Sequence, residues 1–402
     1  MKLRHSLIFP SALLLLFSCK TVPEKTSYES PVVTVPQEQQ GITNTTPSDT
    51  LTLLFGGDIM AHVQNFKIND YSVIWHDAAP VIQSADFSFA NIESPVDDDI
   101  PYTSYPAFNM HHEYPEAAIQ AGFNVFSLTN NHANDQSLAG IMHTLKWAEE
   151  TENKYAGNSR PVYFTGLHNK KNEPVDYVII KKDRWTIVFC AVTEILNKND
   201  CKEYMNYVPA NERARREFEK HLQEIKKQNQ CDLLILSIHA AVPEYVREVS
   251  DSQRTYYYEL INSGVDIVWA NHPHVVQERE LIGIEGTGGF SKLIMYANGN
   301  TISGQRRDPK LDAPYGQREY TGDGLLYKVT YTKKGDSSHA VLEETESYYI
   351  TTYINTASQF VIKFLNDDFI DYLKDAGRIN WSSYISERKK IMEKTKETKT
   401  WL

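Results

Sequence analysis

Cysteine is scarce in this sequence, which has four cysteines in 402 residues. That number is too small for a fold of this length to be held together by disulfides. Basic residues are outnumbered, 41 against 52 acidic ones, so the net charge of -11 disfavours a general nucleic-acid binder. The hydrophobic share of 41% is that of a globular protein with a sizeable core. A mean hydropathy of -0.46 excludes a polytopic membrane protein.

An apolar run lies close to the amino terminus. Lys2 and Arg4 precede residues 7–17, which are apolar but too few to span a bilayer as a helix. This order is typical of a secretory signal peptide, and its ending LFSC resembles a bacterial lipobox. We therefore predict a lipoprotein signal peptide at residues 1–19, with Cys19 lipidated and holding the protein at a membrane surface. The alternative is an ordinary secretory signal that happens to contain a cysteine.

Residues 20–49 are rich in Thr, Pro, Ser, Gln and Glu, and their apolar residues are isolated. Such a segment cannot bury enough surface to offset its ordering entropy, so we predict a flexible tether. Three cysteines follow it, and an odd number leaves at least one unpaired. Cys190 and Cys231 flank apolar strands and are expected to be buried small hydrophobes. A bridge between Cys190 and Cys201 stays open.

Predicted strands and helices alternate along the rest of the chain. This rhythm predicts a layered α/β domain at residues 50–335, with residues 175–180 and 185–191 forming an antiparallel pair. Apart from this pair, nearly every predicted strand ends in Asp, Asn, Glu or His. Ligands of open α/β sheets lie beyond the carboxyl ends of the strands, where such side chains can converge. The polar strand ends are Asp58, Asn91, Glu93, residues 129–132, His239, residues 271–274 and residues 298–300.

The chemistry of these strand ends is that of a metal site. Carboxylate oxygen, amide oxygen and imidazole nitrogen suit Zn, Mn or Fe, and the lack of cysteine among them disfavours a structural zinc. His272 and His274 are the strongest signal, since Pro273 restricts the backbone between two imidazoles and strand-like alternation would leave both on one side. His239 alone would more often be a core histidine. The set as a whole predicts a metal centre.

These motifs together resemble the CapA-type poly-γ-glutamate capsule synthesis family, a branch of the calcineurin-like metallophosphatase superfamily. The resemblance covers roughly residues 50–332. It implies a four-layer α/β/β/α sandwich of the metallo-dependent phosphatase type, with the metal site at the strand ends. The matching stretches are FGGDIM (55–60), FANIESP (89–95), AGFNVFSLTNNHAND (121–135), ILSIH (235–239), EY (244–245), GVDIVWANHPHVVQ (264–277) and YANGN (296–300).

The resemblance also implies roles for single residues. His132 would be the general acid that protonates a leaving group. Asp135, in the same motif, is predicted to be catalytic as well. One or two divalent ions, Mn, Zn or Fe, would be bound. The implied metal ligands are Asp58, Glu93, Asn131, His239, His272 and His274, and the implied substrate-binding residues are Asn91, Asn130, Glu244 and Asn300.

One departure from the superfamily pattern concerns the first motif, and His62 is the residue that could substitute there. The superfamily opens with Asp-x-His, whereas Met60 stands two places after Asp58 in this sequence. A thioether is a poor ligand for hard cations, so one metal is expected to be bound weakly or not at all. His62 is displaced from the required spacing and is expected at the surface.

The implied chemistry is metal-assisted hydrolysis of a phosphoester or an amide. Arg306 and Arg307 follow a strand end and are predicted to bind an anionic substrate, with a solvated loop as the alternative. The expected substrate is an anionic or peptide-like envelope polymer or a phosphoester. The expected location is the bacterial cell envelope, with capsule-assembly proteins as further partners. The alternative to an enzyme is a non-catalytic factor that keeps the fold and binds polymer or assembly partners.

The resemblance does not reach the carboxyl-terminal residues 336–402, which we predict to be an extension packed on the domain. Residues 340–353 are predicted to be a strand. Residues 358–374 have the spacing of an amphipathic helix. Residues 386–399 are predicted to form a highly charged, solvated helix.

Overall fold

The computed structural model describes residues 49–286, 288–333 and 339–402. The predicted signal peptide, Cys19 and almost all of the predicted tether therefore lie outside the described residues. Within those three ranges, no helix is both long and apolar enough to cross a bilayer.

Fifteen strands form the centre of the described structure. The predicted antiparallel pair is confirmed, since β5 and β6 run antiparallel from Val178 opposite Phe189 to Lys182 opposite Trp185. In chain order the strands are β1 (Thr50–Ile59), β2 (Phe87–Ile92), β3 (Val125–Ser127), β4 (Tyr163–Thr165), β5 (Val178–Lys182), β6 (Trp185–Thr193), β7 (Leu233–His239), β8 (Ile267–Asn271), β9 (Arg279–Gly283), β10 (Phe290–Met295), β11 (Asn300–Ile302), β12 (Asp323–Lys333), β13 (Ala340–Ile354), β14 (Phe360–Phe364) and β15 (Glu397–Trp401).

The helices lie between the strands, as the alternating pattern predicts. Long helices have one apolar face each; in the 18-residue helix that begins at Glu212, the buried residues are Phe218, Leu222 and Ile225. The helices are α1 (Val63–Phe66), α2 (Ser72–Trp75), α3 (Ala79–Gln83), α4 (Glu113–Ala121), α5 (Ser137–Tyr155), α6 (Glu212–Asn229), α7 (Asp251–Asn262), α8 (Gln317–Tyr320), α9 (Asp367–Asp375) and α10 (Ile379–Met392).

Eleven of these strands join in one hydrogen-bonded order, β4-β3-β2-β1-β12-β13-β10-β8-β7-β6-β5. The other four lie off this path: β11 pairs with β1, β14 with β13, β9 with β10 and β15 with β9. Strands β1 to β4 are parallel, and so are β6, β7, β8 and β10. The long antiparallel strands β12 and β13 connect these two parallel groups. A mixed sheet with helices confirms the predicted α/β class, and it brings the carboxyl ends of parallel strands to common edges.

Aromatic side chains pack between the two parallel groups of strands. The rings of Phe55 on β1 and Phe89 on β2 are stacked with centroids 4.7 Å apart, and both contact Trp269 on β8. The indole N–H of Trp269 donates to the carbonyl of Gly56 over 2.9 Å. All three rings are fully buried. This contact holds the end of β8 close to the end of β1, where the candidate site lies.

The carboxyl-terminal residues agree with their prediction in part. The predicted strand at 340–353 is confirmed as β13, which pairs with β12 and so continues the sheet. Within the segment 358–374, which the sequence predicts to be one helix, residues 360–364 form strand β14. The helix α9 begins only at Asp367. Residues 360–362 are Phe, Val and Ile, which favour strand, and β13 offers them a hydrogen-bonding partner. The predicted charged helix ends at Met392, and β15 follows it in parallel with β9.

A buried group of charges joins α10 to the start of β12. Asp323 accepts hydrogen bonds from Nη1 of Arg306 over 3.0 Å and from Nε of Arg388 over 2.7 Å. All three side chains are fully buried. Arg388 falls inside the segment predicted to be solvated, so that prediction is wrong. A buried guanidinium needs such a partner, because an unpaired buried charge costs several kcal/mol, about 3–5.

Candidate metal centre

The predicted ligands come from the ends of separate strands. Asp58 lies at the end of β1, Glu93 and Asn131 follow β2 and β3, His239 ends β7, and a turn after β8 carries the last two histidines. All six side chains are almost fully buried. They are Asp58, Glu93, Asn131, His239, His272 and His274.

Glycine positions Asp58 on its strand. A Cβ atom at Gly57 would lie 1.9 Å from the carbonyl oxygen of Gly299, so no other residue fits there. This close approach lets the backbone N–H of Asp58 donate to Gly299 over 3.1 Å. The side chain of Asn91 then donates to Oδ1 of Asp58 over 2.8 Å. Gly299 therefore holds the main chain of Asp58, and Asn91 holds its carboxylate.

Backbone strain positions the two histidines after β8. His272 and His274 have φ angles of 103° and 57°, which lie in the left-handed region that few non-glycine residues adopt. The strand-like alternation expected around Pro273 is therefore wrong, although both imidazoles reach the same site. Strain of this kind persists where the surrounding structure holds the residue in place, and it is common at functional sites.

The structure brings five of the predicted ligands into contact. Nδ1 of His272 lies 3.1 Å from Nε2 of His239, and Nδ1 of His274 lies 3.2 Å from Oδ2 of Asp58. Oε1 of Glu93 lies 3.7 Å from Nε2 of His239 and 3.7 Å from Nε2 of His274. Nitrogen and oxygen atoms at these separations surround a single small volume.

The Glu93 carboxylate is the clearest sign of what this volume holds. It is fully buried, and neither oxygen has a hydrogen-bond partner among the described residues. Burial, and next the charges of Asp58 and Glu244, raise the pKa of Glu93 well above its usual value. A buried carboxylate without a partner is costly, and a divalent cation would compensate it directly.

Two of the site histidines are in the protonation state that metal binding requires. Burial, followed by the neighbouring imidazoles of His272 and His274, lowers the pKa of His239 well below 6.5. Burial and then His274 lower the pKa of His272 to about 4. Both rings are therefore neutral at pH 7, and a neutral imidazole can donate a nitrogen lone pair to a metal.

The side chain of Asn131 is also suited to metal binding. Its Nδ2 donates to Oδ1 of Asn197 over 3.3 Å, and in the described part of the chain its buried Oδ1 accepts from no group. An amide oxygen of this kind can ligate Zn, Mn or Fe. The donor set of carboxylate, amide and imidazole thus fits a divalent metal, as the sequence predicts.

Glu244, predicted to bind substrate, lies with the histidines of the site. One ligand atom from each of Glu244, His272 and His274 falls within 4.8 Å of the others, and Asp58, Glu93 and His239 form a second such group. Burial acts to raise the pKa of Glu244. The hydrogen bond from Tyr245 and then the imidazoles lower it, and the net direction is downward. The carboxylate of Glu244 is therefore charged at neutral pH.

His132 and Asp135 form a buried pair beside the metal centre. Nδ1 of His132 lies 2.7 Å from Oδ2 of Asp135, which also accepts the backbone N–H of Phe108 over 2.7 Å. In the tautomer with its hydrogen on Nδ1, His132 donates to Asp135, and Nε2, which lies 3.3 Å from Nδ2 of Asn197, is an acceptor. The Phe108 ring packs edge-on against His132 at 4.7 Å. Phe108 was not found from the sequence, because an aromatic residue in a loop has no distinguishing pattern.

The three asparagines predicted to bind substrate are hydrogen-bonded within the site. Asn91 holds Asp58, and Asn130 donates to the carbonyl of Ile92 over 2.8 Å while its Oδ1 accepts the backbone N–H of His132. Asn300 contacts Nδ1 of His274 through Oδ1 and donates to the carbonyl of Thr321. All three amides are buried in such hydrogen bonds, so they position the metal-site side chains, and their role in substrate binding stays a prediction.

Of the two arginines predicted to bind substrate, one is buried and the other is exposed. Arg306 is buried with Asp323, and its Nη2 donates to Thr351 Oγ1 over 2.7 Å, so its prediction is wrong. Its guanidinium occupies the space where a Cβ at Gly322 would lie. Arg307 is exposed, with Nε 3.4 Å from Oδ2 of Asp308, and its role in substrate binding stays a prediction.

His62 is buried, contrary to its expected surface position. Its Nδ1 accepts the backbone N–H of Gly304 over 3.1 Å, and its ring packs edge-on against Phe108 at 5.0 Å. Burial, and next the charges of His274 and His132, lower its pKa to about 3. His62 is thus a neutral neighbour of the site. Its partner Gly304 is 242 residues away, which no local pattern could reveal.

Comparison with known proteins agrees with this site. Residues 52–305, more than half of the chain, match the family described as bacterial capsule synthesis protein PGA_cap. The chain belongs to this family. PGA_cap is part of the metallophosphatase-like superfamily, so the family predicted from the motifs is confirmed.

Two curated relatives in this family are similar over 64% of the chain. A capsule biosynthesis protein CapA of Bacillus anthracis is 26% identical over 268 residues, which are 61% of its length. A PGA biosynthesis protein CapA of Bacillus subtilis (strain 168) is 24% identical over 267 residues, which are 64% of its length. The matched part of the chain thus covers less than two thirds of each relative.

A solved structure, titled GAP50 the anchor in the inner membrane complex of Plasmodium, is similar at 10% identity with a TM-score of 0.30. The similarity covers 78% of this chain and 84% of that one. A TM-score this low bears on neither fold nor function. The PGA_cap match, by contrast, includes every residue of the metal centre and the His132–Asp135 pair.

Proposed function

We propose that this PGA_cap protein is a metal-dependent hydrolase of the cell envelope. The observation that carries the proposal is the Glu93 carboxylate, fully buried without a hydrogen-bond partner in the described structure and 3.7 Å from two imidazoles. A divalent cation held there would supply Lewis acidity to the phosphoryl or carbonyl group under attack. Mn, Zn and Fe all suit these donor atoms.

The chain's own residues supply the proton chemistry. His132 is held by Asp135 with its hydrogen on Nδ1, so a protonated Nε2 would deliver a proton to the leaving group. The Asp135 carboxylate would hold the imidazole ring in this orientation through its contact with Nδ1. Asn130 fixes the backbone of the same turn through the N–H of His132. The pair therefore serves as a general acid and the residue that orients it.

The proposed substrate is an anionic or peptide-like envelope polymer or a phosphoester. The names of the two relatives refer to capsule and PGA biosynthesis, which supports an envelope polymer. Arg307 is exposed, and the guanidinium of Arg318 lies 5.2 Å from the ring centroid of Tyr245, which stacks near His274. These two cations would favour the approach of an anionic group.

A non-catalytic factor that binds polymer or assembly partners is the second candidate. The observation in its favour is Met60, which is buried at the position where the superfamily has a metal-binding histidine. A thioether binds hard cations poorly, so the site could hold fewer ions than a hydrolase of this superfamily needs.

The location and the layering of the fold are part of the proposal. Lipidation of Cys19 would hold the protein at a membrane of the bacterial envelope. The sheet would form the two inner layers of an α/β/β/α sandwich. Support comes from three separate apolar clusters: one shared by β1, β2 and β6–β8, one between β1–β3 and helices α2–α5, and one between β6–β8 and helices α6 and α7.

A metal analysis coupled to a substrate screen tests this function. Full-length protein in detergent is analysed for bound elements and assayed with nitrophenyl phosphate, alkyl phosphates and γ-glutamyl peptides. We expect bound Mn, Zn or Fe, and turnover of at least one substrate class that a chelator abolishes and added metal restores. Metal-loaded protein without turnover on any class would favour the binding factor. Protein that binds no divalent metal would contradict the metal centre itself.

A further inference from the structure

The loop after β7 bends back over the two histidines that follow β8. His239 ends β7, and Glu244 and Tyr245 follow it five and six residues later. The backbone N–H of Tyr245 donates to the carbonyl of Pro273 over 2.8 Å. Tyr245 has a φ of 65°, so the chain reverses direction there. This bond places Glu244 directly above the turn that carries His272 and His274.

The carboxylate of Glu244 lies at metal-ligand spacing from both imidazoles. One oxygen of Glu244 and one nitrogen each from His272 and His274 are all within 4.8 Å of one another. Asp58, Glu93 and His239 make a separate group that meets the same distance limit. The two groups are in contact, because Nδ1 of His272 lies 3.1 Å from Nε2 of His239.

We propose that Glu244 is a metal ligand, which with His272 and His274 holds a second divalent cation beside the group of Asp58, Glu93 and His239. The inference deepens the proposed function, on whose metal centre it rests. It assigns a ligand that the motif resemblance places with substrate. One carboxylate and two imidazoles suit Zn, Mn or Fe.

Met60 explains why the chain needs a ligand from another loop. The superfamily takes one donor from the second position after Asp58, and this chain has a buried thioether there. Glu244 would supply a charged oxygen donor from the loop after β7. The site then contains three carboxylates, Asp58, Glu93 and Glu244, which two divalent cations would neutralise.

A substrate-binding role for Glu244 is disfavoured by its charge. The proposed substrates are anionic or peptide-like, and a free carboxylate beside the reacting group would repel an anion. Once it ligates a cation, its charge is neutralised and the repulsion is removed. The exposed Arg318, whose guanidinium lies 5.2 Å from the ring centroid of Tyr245, would then be the cation beside this loop that an anionic substrate meets.

The test counts metal ions in full-length protein and in two matched variants. Glu244→Gln keeps the size of the side chain and removes the ligating charge, and Glu248→Gln changes an exposed glutamate four residues away as a control. Metal-free proteins are titrated with Mn²⁺ by calorimetry, and elemental analysis gives the bound equivalents. Electron paramagnetic resonance then shows whether two Mn²⁺ ions are coupled. Circular dichroism checks that each variant is folded.

We expect two equivalents and a coupled signal in the unmodified protein and in Glu248→Gln. Glu244→Gln should lose the second equivalent or bind it about tenfold more weakly or worse, with loss of the coupled signal. Two equivalents at unchanged affinity in folded Glu244→Gln would overturn the proposal. So would a single equivalent in the unmodified protein, whatever the variant does. Turnover is measured separately, so a protein that binds two ions without hydrolysing anything leaves this proposal standing while the proposed hydrolase fails.

Discussion

Nδ1 of His132 lies 2.7 Å from Oδ2 of Asp135, and both side chains are almost fully buried. The same carboxylate oxygen accepts the backbone N–H of Phe108, whose ring packs against the imidazole. The orientation of His132 is thus determined by a hydrogen bond on one side and an aromatic contact on another. This arrangement gives the ring a testable role of its own.

Replacing His132 by alanine should leave the metal content nearly unchanged and lower turnover. General acid catalysis by a positioned side chain contributes about 10²–10⁴-fold, so we expect a loss in that range for substrates with poor leaving groups. A nitrophenyl ester needs little protonation and should lose least. His76→Ala, at an exposed histidine, is the control. Equal losses for good and poor leaving groups would contradict the general-acid role, and loss of metal would show that His132 is a ligand.

The variants His272→Ala and His274→Ala should each lower the metal content and abolish hydrolysis without unfolding the domain. The reason is that each removes one nitrogen from a buried group of ligand atoms while leaving the sheet and its apolar core intact. Elemental analysis and circular dichroism of the purified variants check both parts. Full metal occupancy in both variants would show that the two imidazoles are structural.

His62 should make the stability of the metal-free protein depend on pH. Its pKa is about 3 in the folded protein, mainly because of burial, against an ordinary value of 6.5. Below pH 6.5 the unfolded chain takes up a proton on this histidine, whereas the folded protein does not. The free energy of unfolding therefore decreases as the pH falls from 6.5 towards 3. His62→Asn should therefore flatten the pH dependence of the free energy of unfolding in this range, measured by urea denaturation.

The exposed His76→Asn serves as the control for that measurement, because its side chain is largely in solvent. The free energy of unfolding could instead have the same slope between pH 6.5 and 4 in His62→Asn and in the unmodified protein. That result would show that His62 is protonated equally easily in the folded and the unfolded protein.

Replacing Asp323 by asparagine should destabilise the protein strongly. The change leaves Arg306 and Arg388 buried without their shared carboxylate, and breaking a buried pair of this kind typically costs about 3–5 kcal/mol. The control is Glu387→Gln, which removes the exposed partner of Lys390 and should leave the unfolding transition unchanged. Denaturant titration of both variants gives the comparison. A small effect of Asp323→Asn would mean that water reaches the guanidinium groups.

Replacing Cys19 by alanine should release the protein from the membrane fraction. Cys19 closes the apolar export signal, and acyl chains on it would provide the membrane attachment. Fractionation of cells that express either form, followed by immunoblotting, measures the distribution. Unchanged association of the variant with membranes would contradict lipidation at this position.

The sequence was informative where the pattern is local and misleading where partners are distant. Residues 175–191 form the expected antiparallel pair because the two strands adjoin along the chain. Residues 360–364 have helical spacing but form β14, because β13 is available as a hydrogen-bonding neighbour. Among the cysteines of the described residues, Cys190 and Cys231 are free and buried, as their apolar flanks indicate.

Local sequence by itself determined the α/β class and the residue types at the strand ends, because alternation of strand and helix and polarity after an apolar run are short-range features. Only the tertiary structure decided which polar groups face the metal centre. Asn91, Asn130, Asn300 and Arg306 are engaged in buried hydrogen bonds, whereas Glu244 and His62 lie at or beside the site. The physical reason is that a buried polar group must find a partner, and these partners come from distant parts of the chain.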